Sequence, residues 1–347
     1  MKKLLFFICF VLVIVVGVQG FYIFSLNHSN QSKTRSFAKP LLAYTFKNLK
    51  KTLFPATEIT LGPITSESSD SFSRIFYFSV PKTPGGKTML KASGLMNIPK
   101  ESGSHPVIVM FRGFIPDSEY RPGADTQPSA LVFAKNGFIT LAPDFLGYGE
   151  SASPSADPFE NRFQTYTTAL SLLASLKNLN VTLEKNYHST VSANLNQIGI
   201  WGHSNGGHIA LSTMAISGDT YPTVLWAPVS ASFPYSILYY TDESDDQGKA
   251  LRKLLSGFEK LYNTDDFSPS NYYNWIKAPI LVGQGLNDEE VPYWWSQNLV
   301  TTLKKDGVDA NLITYPNSDH NFLPAGWTDA VNNSLNFFKQ SFQNENR

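Results

Sequence analysis

The chain has 347 residues, of which 42% are hydrophobic and only 16% are charged, and its formal net charge at pH 7 is +0. Disordered chains combine low hydrophobicity with high net charge, so this composition indicates a globular protein. It also argues against a nucleic-acid-binding protein, because no excess of basic residues is present to neutralise phosphates. With Cys9 as its single cysteine, the chain cannot form a disulfide framework.

The amino-terminal segment has the sequence features of a membrane-targeting signal. Lys2 and Lys3 precede an apolar run over residues 4–24, and a helix of about 20 residues spans the ~30 Å hydrocarbon core of a bilayer. We therefore expect residues 1–26 to form a signal anchor or transmembrane helix, with the rest of the chain on the extracytoplasmic side. The alternative is a cleaved signal peptide, in which case the protein is secreted.

Residues 27–55 read as a polar linker followed by an amphipathic segment, and residues 56–342 read as one α/β domain. Alternating apolar residues predict an antiparallel edge strand over residues 72–80 and a second strand over residues 88–98. Continuous apolar runs then follow, as is typical of strands buried on both faces of a parallel sheet, at residues 106–111, 138–142, 198–201, 223–226, 280–283 and 311–315.

Helical patterns lie between these runs, for example over residues 163–176 and 330–342. Strands that alternate with helices predict a mostly parallel central sheet flanked by helices. A longer stretch between Trp226 and Ile280 contains an acidic patch and an amphipathic helix. Because loops at the carboxyl ends of strands carry function in open α/β sheets, we expect a helical lid insertion at about residues 229–276.

The sequence GHSNGG at residues 202–207 follows one of the buried runs and precedes a helical pattern. This is the G-x-S-x-G motif in the strand–turn–helix context of a nucleophile elbow, and it predicts Ser204 as a nucleophile. The alternative is a chance occurrence in an ordinary turn. His203 is interpreted as a packing or supporting group. Strand and helix approach closely only where side chains are small, which accounts for Gly202, Gly206 and Gly207.

A serine nucleophile needs a base, and the base needs a carboxylate that fixes its tautomer. His320, in the loop after the last predicted strand, is the expected base. The acid is expected between the serine and the histidine in the chain. We choose Asp288, in a turn after a buried run, with Glu289 and Glu290 as alternatives. Asp319 is a weaker rival, because it would point away from the neighbouring histidine.

An oxyanion hole needs two backbone N–H groups. We expect Asn205, which follows the nucleophile, to supply one of them, and Phe114, which follows the strand at residues 106–111, to supply the other. No metal and no cofactor are expected, since the sequence contains neither H-E-x-x-H nor a paired Cys/His spacing.

Together these motifs resemble the α/β-hydrolase superfamily, over about residues 90–342. The elbow, the Asp288 turn and the His320 loop are similar to the catalytic domain of the prolyl oligopeptidase (S9) family, without its β-propeller. Residues 143–151 resemble a segment of these enzymes in which Asp144 braces a loop.

The resemblance implies an extracytoplasmic serine hydrolase, similar to S9 peptidases, that cleaves an amide or ester bond of a peptide or ester substrate through an acyl-enzyme. Two alternatives stay open. One is a carboxylesterase that acts on small acyl esters with the same residues. The other is a catalytically inactive, membrane-tethered binding protein that keeps the fold.

Overall fold

A nine-stranded sheet lies at the centre of the computed structural model, which describes residues 39–188, 190–241 and 244–344. The chain divides into residues 1–40 and a compact unit of residues 41–347. The predicted signal anchor at residues 1–26 lies outside the described residues. Within the described ranges, no helix is both long enough and apolar enough to cross a bilayer.

The strands, in chain order, are β1 (Thr60–Glu67), β2 (Ser71–Pro81), β3 (Met89–Pro99), β4 (Gly103–Phe111), β5 (Ile139–Pro143), β6 (Val191–His203), β7 (Thr223–Trp226), β8 (Ile280–Gly285) and β9 (Ala310–Tyr315). Across the sheet their order is β1-β2-β3-β5-β4-β6-β7-β8-β9. The first three pairs in this order are antiparallel, and all pairs from β5–β4 to β8–β9 are parallel. The predicted fold class, a mostly parallel α/β sheet, is confirmed.

The α-helices described are α1 (Phe46–Leu49), α2 (Gln127–Lys135), α3 (Pro158–Ser175), α4 (Leu179–Tyr187), α5 (Asn205–Ser217), α6 (Tyr235–Leu238), α7 (Lys249–Glu259), α8 (Tyr293–Lys305) and α9 (Trp327–Asn344). Short 3₁₀ helices lie at Pro40–Tyr44, Asp117–Glu119, Leu176–Asn178, Thr264–Phe267 and Pro269–Trp275. The start of α3 is set locally, since the Asp157 carboxylate accepts hydrogen bonds from two amides of its first turn.

The continuous apolar runs reflect a sheet that is covered on both faces. In β4, Val107 and Val109 pack in the core that contains α3 and α5, whereas Ile108 and Met110 pack in the core that contains α2 and α9. Because successive side chains of a strand point to opposite faces, a strand with a core on each side must be apolar at every position.

The prediction that residues 72–80 form an edge strand is wrong in its position, although a strand is present there. β1 pairs with the outer side of this strand, so β1 and β9 are the edges of the sheet. The sequence of β1 contains Gly62 and Pro63, and its side chains are mostly exposed. A strand with no buried face leaves no apolar alternation to detect, which explains why it escaped the sequence analysis.

The segment between β7 and β8 forms a helical insertion that is anchored by aromatic side chains. Phe258 of α7 is buried, and its ring lies 4.8 Å from that of Phe159 in α3. Phe267, in one of the 3₁₀ helices, stacks on Phe163 of α3 with ring centroids 4.8 Å apart. The insertion therefore packs on the first turns of α3, at the end of the sheet where β6 meets α5.

The amphipathic segment predicted within residues 27–55 joins the core from Leu41 onward. Tyr44, Phe46 and Leu49 are buried, and Phe46 stacks on Tyr272 with ring centroids 4.9 Å apart. This part of the predicted linker thus contributes to the compact unit of residues 41–347.

Candidate active site

Ser204 lies in a sharp turn between the end of β6 and the start of α5. Its backbone angles are φ 53° and ψ −121°, a conformation that residues with a side chain rarely adopt and that costs free energy. Its amide donates to the carbonyl of Trp226, and its carbonyl accepts from the amides of Gly207 and Val229. These bonds to β7, to the loop after it and to the first turn of α5 hold the strained residue in place.

The small residues of the elbow are required by close contacts. A Cβ atom on Gly206 would lie 1.9 Å from the carbonyl oxygen of Phe111, and one on Gly202 would lie 2.5 Å from the carbonyl oxygen of Gly206. A Cβ on Gly207 would lie 2.5 Å from the Pro228 side chain. Any larger residue would push α5 away from the strands, so the three glycines allow the helix to begin directly beneath the serine.

His320 and Asp288 form a buried hydrogen-bonded pair. His320 Nδ1 and Asp288 Oδ2 are 2.9 Å apart, with 7% of the histidine side chain and none of the aspartate side chain exposed. Asp288 Oδ1 accepts from the amides of Glu290 and Val291, and Oδ2 also accepts from Gln284 Nε2 at 2.7 Å. Burial alone would raise the pKa of Asp288, but the hydrogen bond and charge of His320, together with the backbone amides, hold it below its ordinary value.

The other predicted acids occupy different positions. Glu290 Oε2 lies 3.7 Å from His320 Nε2, on the opposite side of the ring from Asp288, and 66% of its side chain is exposed. Asp319 Oδ1 accepts from the amides of Asn321 and Leu323 and so stabilises its own loop. Glu289 is exposed. Asp288 is the predicted acid that is hydrogen-bonded to Nδ1 of the histidine.

Ser204 and His320 line the same cavity, which has a volume of about 800 Å³. Within the described part of the chain, no hydrogen bond joins their side chains, and catalytic hydrogen bonds are often long until a substrate is bound. The insertion between β7 and β8 contributes one wall of the cavity, and its lining residues there include Ser236, Ile237, Tyr240, Thr241, Ser244 and Leu251.

The two predicted oxyanion donors also line this cavity. Asn205 is the first residue of α5, and amides of a first helical turn have no partner within the helix. Phe114 lies in the loop after β4, where the amide of Gly113 donates to Asp125 Oδ2 at 2.7 Å. A Cβ on Gly113 would lie 3.2 Å from Ser204 Cβ, so the backbone of this loop passes close to the nucleophile.

A second histidine–aspartate pair supports the site from behind. His203 Nδ1 lies 2.7 Å from Asp125 Oδ1, and His203 Nε2 lies 3.1 Å from the backbone oxygen of His320. Burial alone would lower the pKa of His203, but the charge and hydrogen bond of Asp125 outweigh burial and raise it. Burial alone would raise the pKa of Asp125, but the charge and hydrogen bond of His203 outweigh burial and lower it. This pair joins the elbow, the Gly113 loop and the His320 loop.

Two of these supporting residues were missed in the sequence. Asp125 lies in a loop that contains no recognisable motif. The sequence predicted a supporting role for His203, with which Asp125 pairs, but not for Asp125 itself. Gln284 donates to Asp288 while its own Oε1 accepts from Ser296 Oγ at 2.7 Å. The available signal for Gln284 was its polar side chain near the end of the otherwise apolar strand β8. Buried polar side chains usually have a specific hydrogen-bond partner.

The predicted loop-bracing role of Asp144 agrees with its contacts. Its carboxylate is buried and accepts from the hydroxyls of Ser93 and Tyr120, each at 2.5 Å. Burial raises the pKa of Asp144 above its ordinary value. No group of three or more side chains suited to holding a metal ion is found in residues 39–188, 190–241 and 244–344.

The sheet order and the position of the serine turn define an α/β-hydrolase fold. Among solved structures, an acetyl xylan esterase from Paenibacillus sp. R4 superposes with a TM-score of 0.56 at 17% identity, covering 88% of this chain and 95% of that chain. This likeness concerns the fold.

Residues 181–345 match the model of the prolyl oligopeptidase family. An uncharacterized peptidase, YuxL, of Bacillus subtilis is 31% identical over 89 residues, and dipeptidyl aminopeptidase BIII of Pseudoxanthomonas mexicana is 25% identical over 138 residues. These segments cover 26% and 36% of this chain, but only 13% and 19% of the relatives' own lengths. The resemblance predicted from the sequence, an α/β hydrolase similar to the prolyl oligopeptidase family, is confirmed.

Proposed function

We propose that this protein is a serine hydrolase that cleaves amide or ester bonds through an acyl-enzyme. The observation that carries the proposal is the hydrogen bond between His320 and Asp288 beside a cavity that is also lined by the strained Ser204. An unfavourable serine backbone conformation next to a carboxylate-oriented imidazole is the arrangement that nucleophilic catalysis requires.

In the first step, Ser204 Oγ attacks the substrate carbonyl carbon while His320 Nε2 accepts the hydroxyl proton. The carbonyl electron pair moves to the oxygen, which the amides of Asn205 and Phe114 bind. Asp288 holds the imidazole in the tautomer that presents Nε2 to the serine and stabilises the imidazolium. When the intermediate collapses, the bond between the carbonyl carbon and the leaving group breaks, and the departing amine or alcohol takes the proton from His320. The acyl group stays on Ser204.

In the second step, water attacks the acyl-enzyme. His320 Nε2 accepts a proton from the water, the same amides bind the new oxyanion, and Ser204 leaves as a hydroxyl after taking that proton. The products are a carboxylic acid and the free enzyme, so no cofactor is consumed.

The proposal is tested with p-nitrophenyl hexanoate and a fluorophosphonate label. We expect Ser204→Ala to lower kcat by at least about 10⁴-fold and to abolish labelling. Ser217→Ala is the matched control, because Ser217 lies exposed at the far end of α5. This variant should still hydrolyse the ester and should still be labelled. Labelling that persists in Ser204→Ala would contradict the assignment. Absence of any labelling in the unaltered protein would favour the inactive binding protein.

Peptidase and carboxylesterase activity use the same residues and differ in the leaving group. Amide cleavage requires His320 to protonate an amine as it leaves, whereas an ester releases a much better leaving group. Matched acyl anilides and acyl esters measured side by side decide between them. A peptidase hydrolyses the anilide as well as the ester, and a carboxylesterase hydrolyses the ester alone.

We further propose that the domain works on the extracytoplasmic side, tethered by residues 1–26. Support comes from the lysines and the apolar run of that segment. The full chain with a carboxy-terminal tag should sediment with membranes, and protease added to intact cells should remove the tag. A shorter, freely released product would instead indicate a cleaved signal peptide.

A further inference from the structure

Arg162 is a positively charged residue that lines the same cavity as the proposed catalytic residues Ser204 and His320. It lies in the second turn of α3 and lines both the 800 Å³ cavity and a smaller neighbouring cavity of about 220 Å³. The residues shared by the two cavities are Phe114, Arg162 and Asn205. The arginine therefore lines the same cavity as Ser204 and the two residues proposed to supply the oxyanion amides.

Among the described residues, no acid balances the charge of Arg162. Its Nε is buried without a hydrogen-bond partner, and no carboxylate of the described residues forms an ion pair with its guanidinium. Of the described acids that line the larger cavity, Asp125 pairs with His203, and Glu290 Oε2 lies 3.7 Å from His320 Nε2.

Arg162 acts on two uncharged side chains, His208 and Tyr166, through its charge and, for Tyr166, also through a side-chain hydrogen bond. Burial, with the charge of Arg162 as a further cause, lowers the pKa of His208 to about 3. Burial also raises the pKa of the Tyr166 hydroxyl, which lies 2.9 Å from His208 Nε2. A partly buried cation that has no carboxylate partner among the described residues is unfavourable until an anion binds to it.

We propose that Arg162 binds a carboxylate of the substrate, so that the cavity selects acyl chains carrying a negative charge away from the scissile carbonyl. A guanidinium offers parallel N–H donors that match a carboxylate, and such charge-assisted hydrogen bonds are stronger than neutral ones. This inference rests on the proposed serine hydrolase function and specifies its substrate class.

The test compares the p-nitrophenyl monoester of adipic acid with p-nitrophenyl hexanoate, which has the same number of acyl carbons and no charge. We expect the unaltered protein to hydrolyse the anionic ester with the higher kcat/KM. Arg162→Gln should lower kcat/KM for the anionic ester by roughly 10- to 100-fold, mainly through KM, and leave the neutral ester within about threefold. Arg162→Lys, which keeps the charge, should retain part of the preference.

Arg121→Gln is the control, because it removes one positive charge from an exposed position that does not line the cavity; both esters should be unaffected. If Arg162→Gln lowers both esters equally, or if the unaltered protein does not prefer the anionic ester, the inference is wrong while the serine hydrolase proposal stands. Thermal unfolding of each variant verifies that the fold is retained.

If the protein hydrolyses neither ester, the proposed serine hydrolase function is wrong. The role of Arg162 in binding a carboxylate is then tested by measuring ligand binding alone. Calorimetry with monomethyl adipate and methyl hexanoate should show tighter binding of the anion to the unaltered protein, lost in Arg162→Gln. Equal or absent binding of the two compounds would overturn the inference.

Discussion

The ion pair between His203 and Asp125 allows a quantitative prediction for Asp125→Asn. In the unaltered protein, Asp125 Oδ1 faces His203 Nδ1 and Oδ2 accepts from the amide of Gly113, both at 2.7 Å. An asparagine has one carbonyl oxygen, so one of these two donors would face an NH₂ group instead. Because only 6% of the His203 side chain and 16% of the Asp125 side chain are exposed, water cannot fully replace the lost bond.

We expect Asp125→Asn to lower the free energy of unfolding by about 3 kcal/mol near neutral pH, since removing one member of a buried ion pair leaves the other uncompensated. Both ring nitrogens of His203 face oxygen acceptors, Asp125 Oδ1 and the His320 carbonyl. Only the imidazolium has a proton on each nitrogen, so the geometry itself favours the charged form.

The pH dependence of this effect has a definite sign. The folded-state pKa of His203 is raised above 6.5, so its stabilisation is complete below 6.5 and is lost as the pH rises through the raised pKa. The pKa of Asp125 is lowered below 3.8, so its stabilisation is present above 3.8 and is lost as the pH falls through the lowered pKa. The difference between the unaltered protein and Asp125→Asn should therefore be largest between about pH 4 and pH 6.5.

Urea unfolding at pH 5.5, 7 and 9 measures this difference. We expect an unchanged m-value and a stability difference that shrinks at the highest pH. Asp70→Asn, at an exposed position, is the control and should show a difference near zero throughout. A difference for Asp125→Asn that is constant over this pH range, or smaller than about 1 kcal/mol, would refute the charged-pair interpretation.

Four further substitutions test other parts of the structure. Gly206→Ala should abolish labelling by fluorophosphonate, because its Cβ would lie 1.9 Å from the Phe111 oxygen; a labelled, folded variant would contradict the elbow geometry. Asp288→Asn should reduce kcat by about 10⁴-fold with little change in KM, whereas Glu290→Gln should reduce it by less than about tenfold; similar losses would mean that the acid is misassigned. Phe258→Ala should lower the free energy of unfolding by about 3–5 kcal/mol in urea titrations, because its ring is buried against α3, and a loss below about 1 kcal/mol would indicate that the insertion is not anchored there.

The sequence alone determined the features that depend on local requirements. Ser204 was predicted because a strained turn between a strand and a helix needs small residues at neighbouring positions, and those positions lie within one short motif. The continuous apolar runs predicted parallel strands because each must fill a core on both faces. The loops of Asp288 and His320 followed from the order of these strands, since parallel strands present their carboxyl ends at one edge of the sheet.

Only the tertiary structure decided how the site is supported and what surrounds it. Asp125, Gln284 and Arg162 come from separate loops, strands and helices, and each acquires its importance from a partner or cavity distant in the chain. The outer strand β1 was likewise hidden, because pairing along an exposed edge demands no apolar pattern. Local sterics and burial leave a periodic trace in the sequence, whereas a hydrogen bond or an unbalanced charge between distant segments leaves none until the chain is folded.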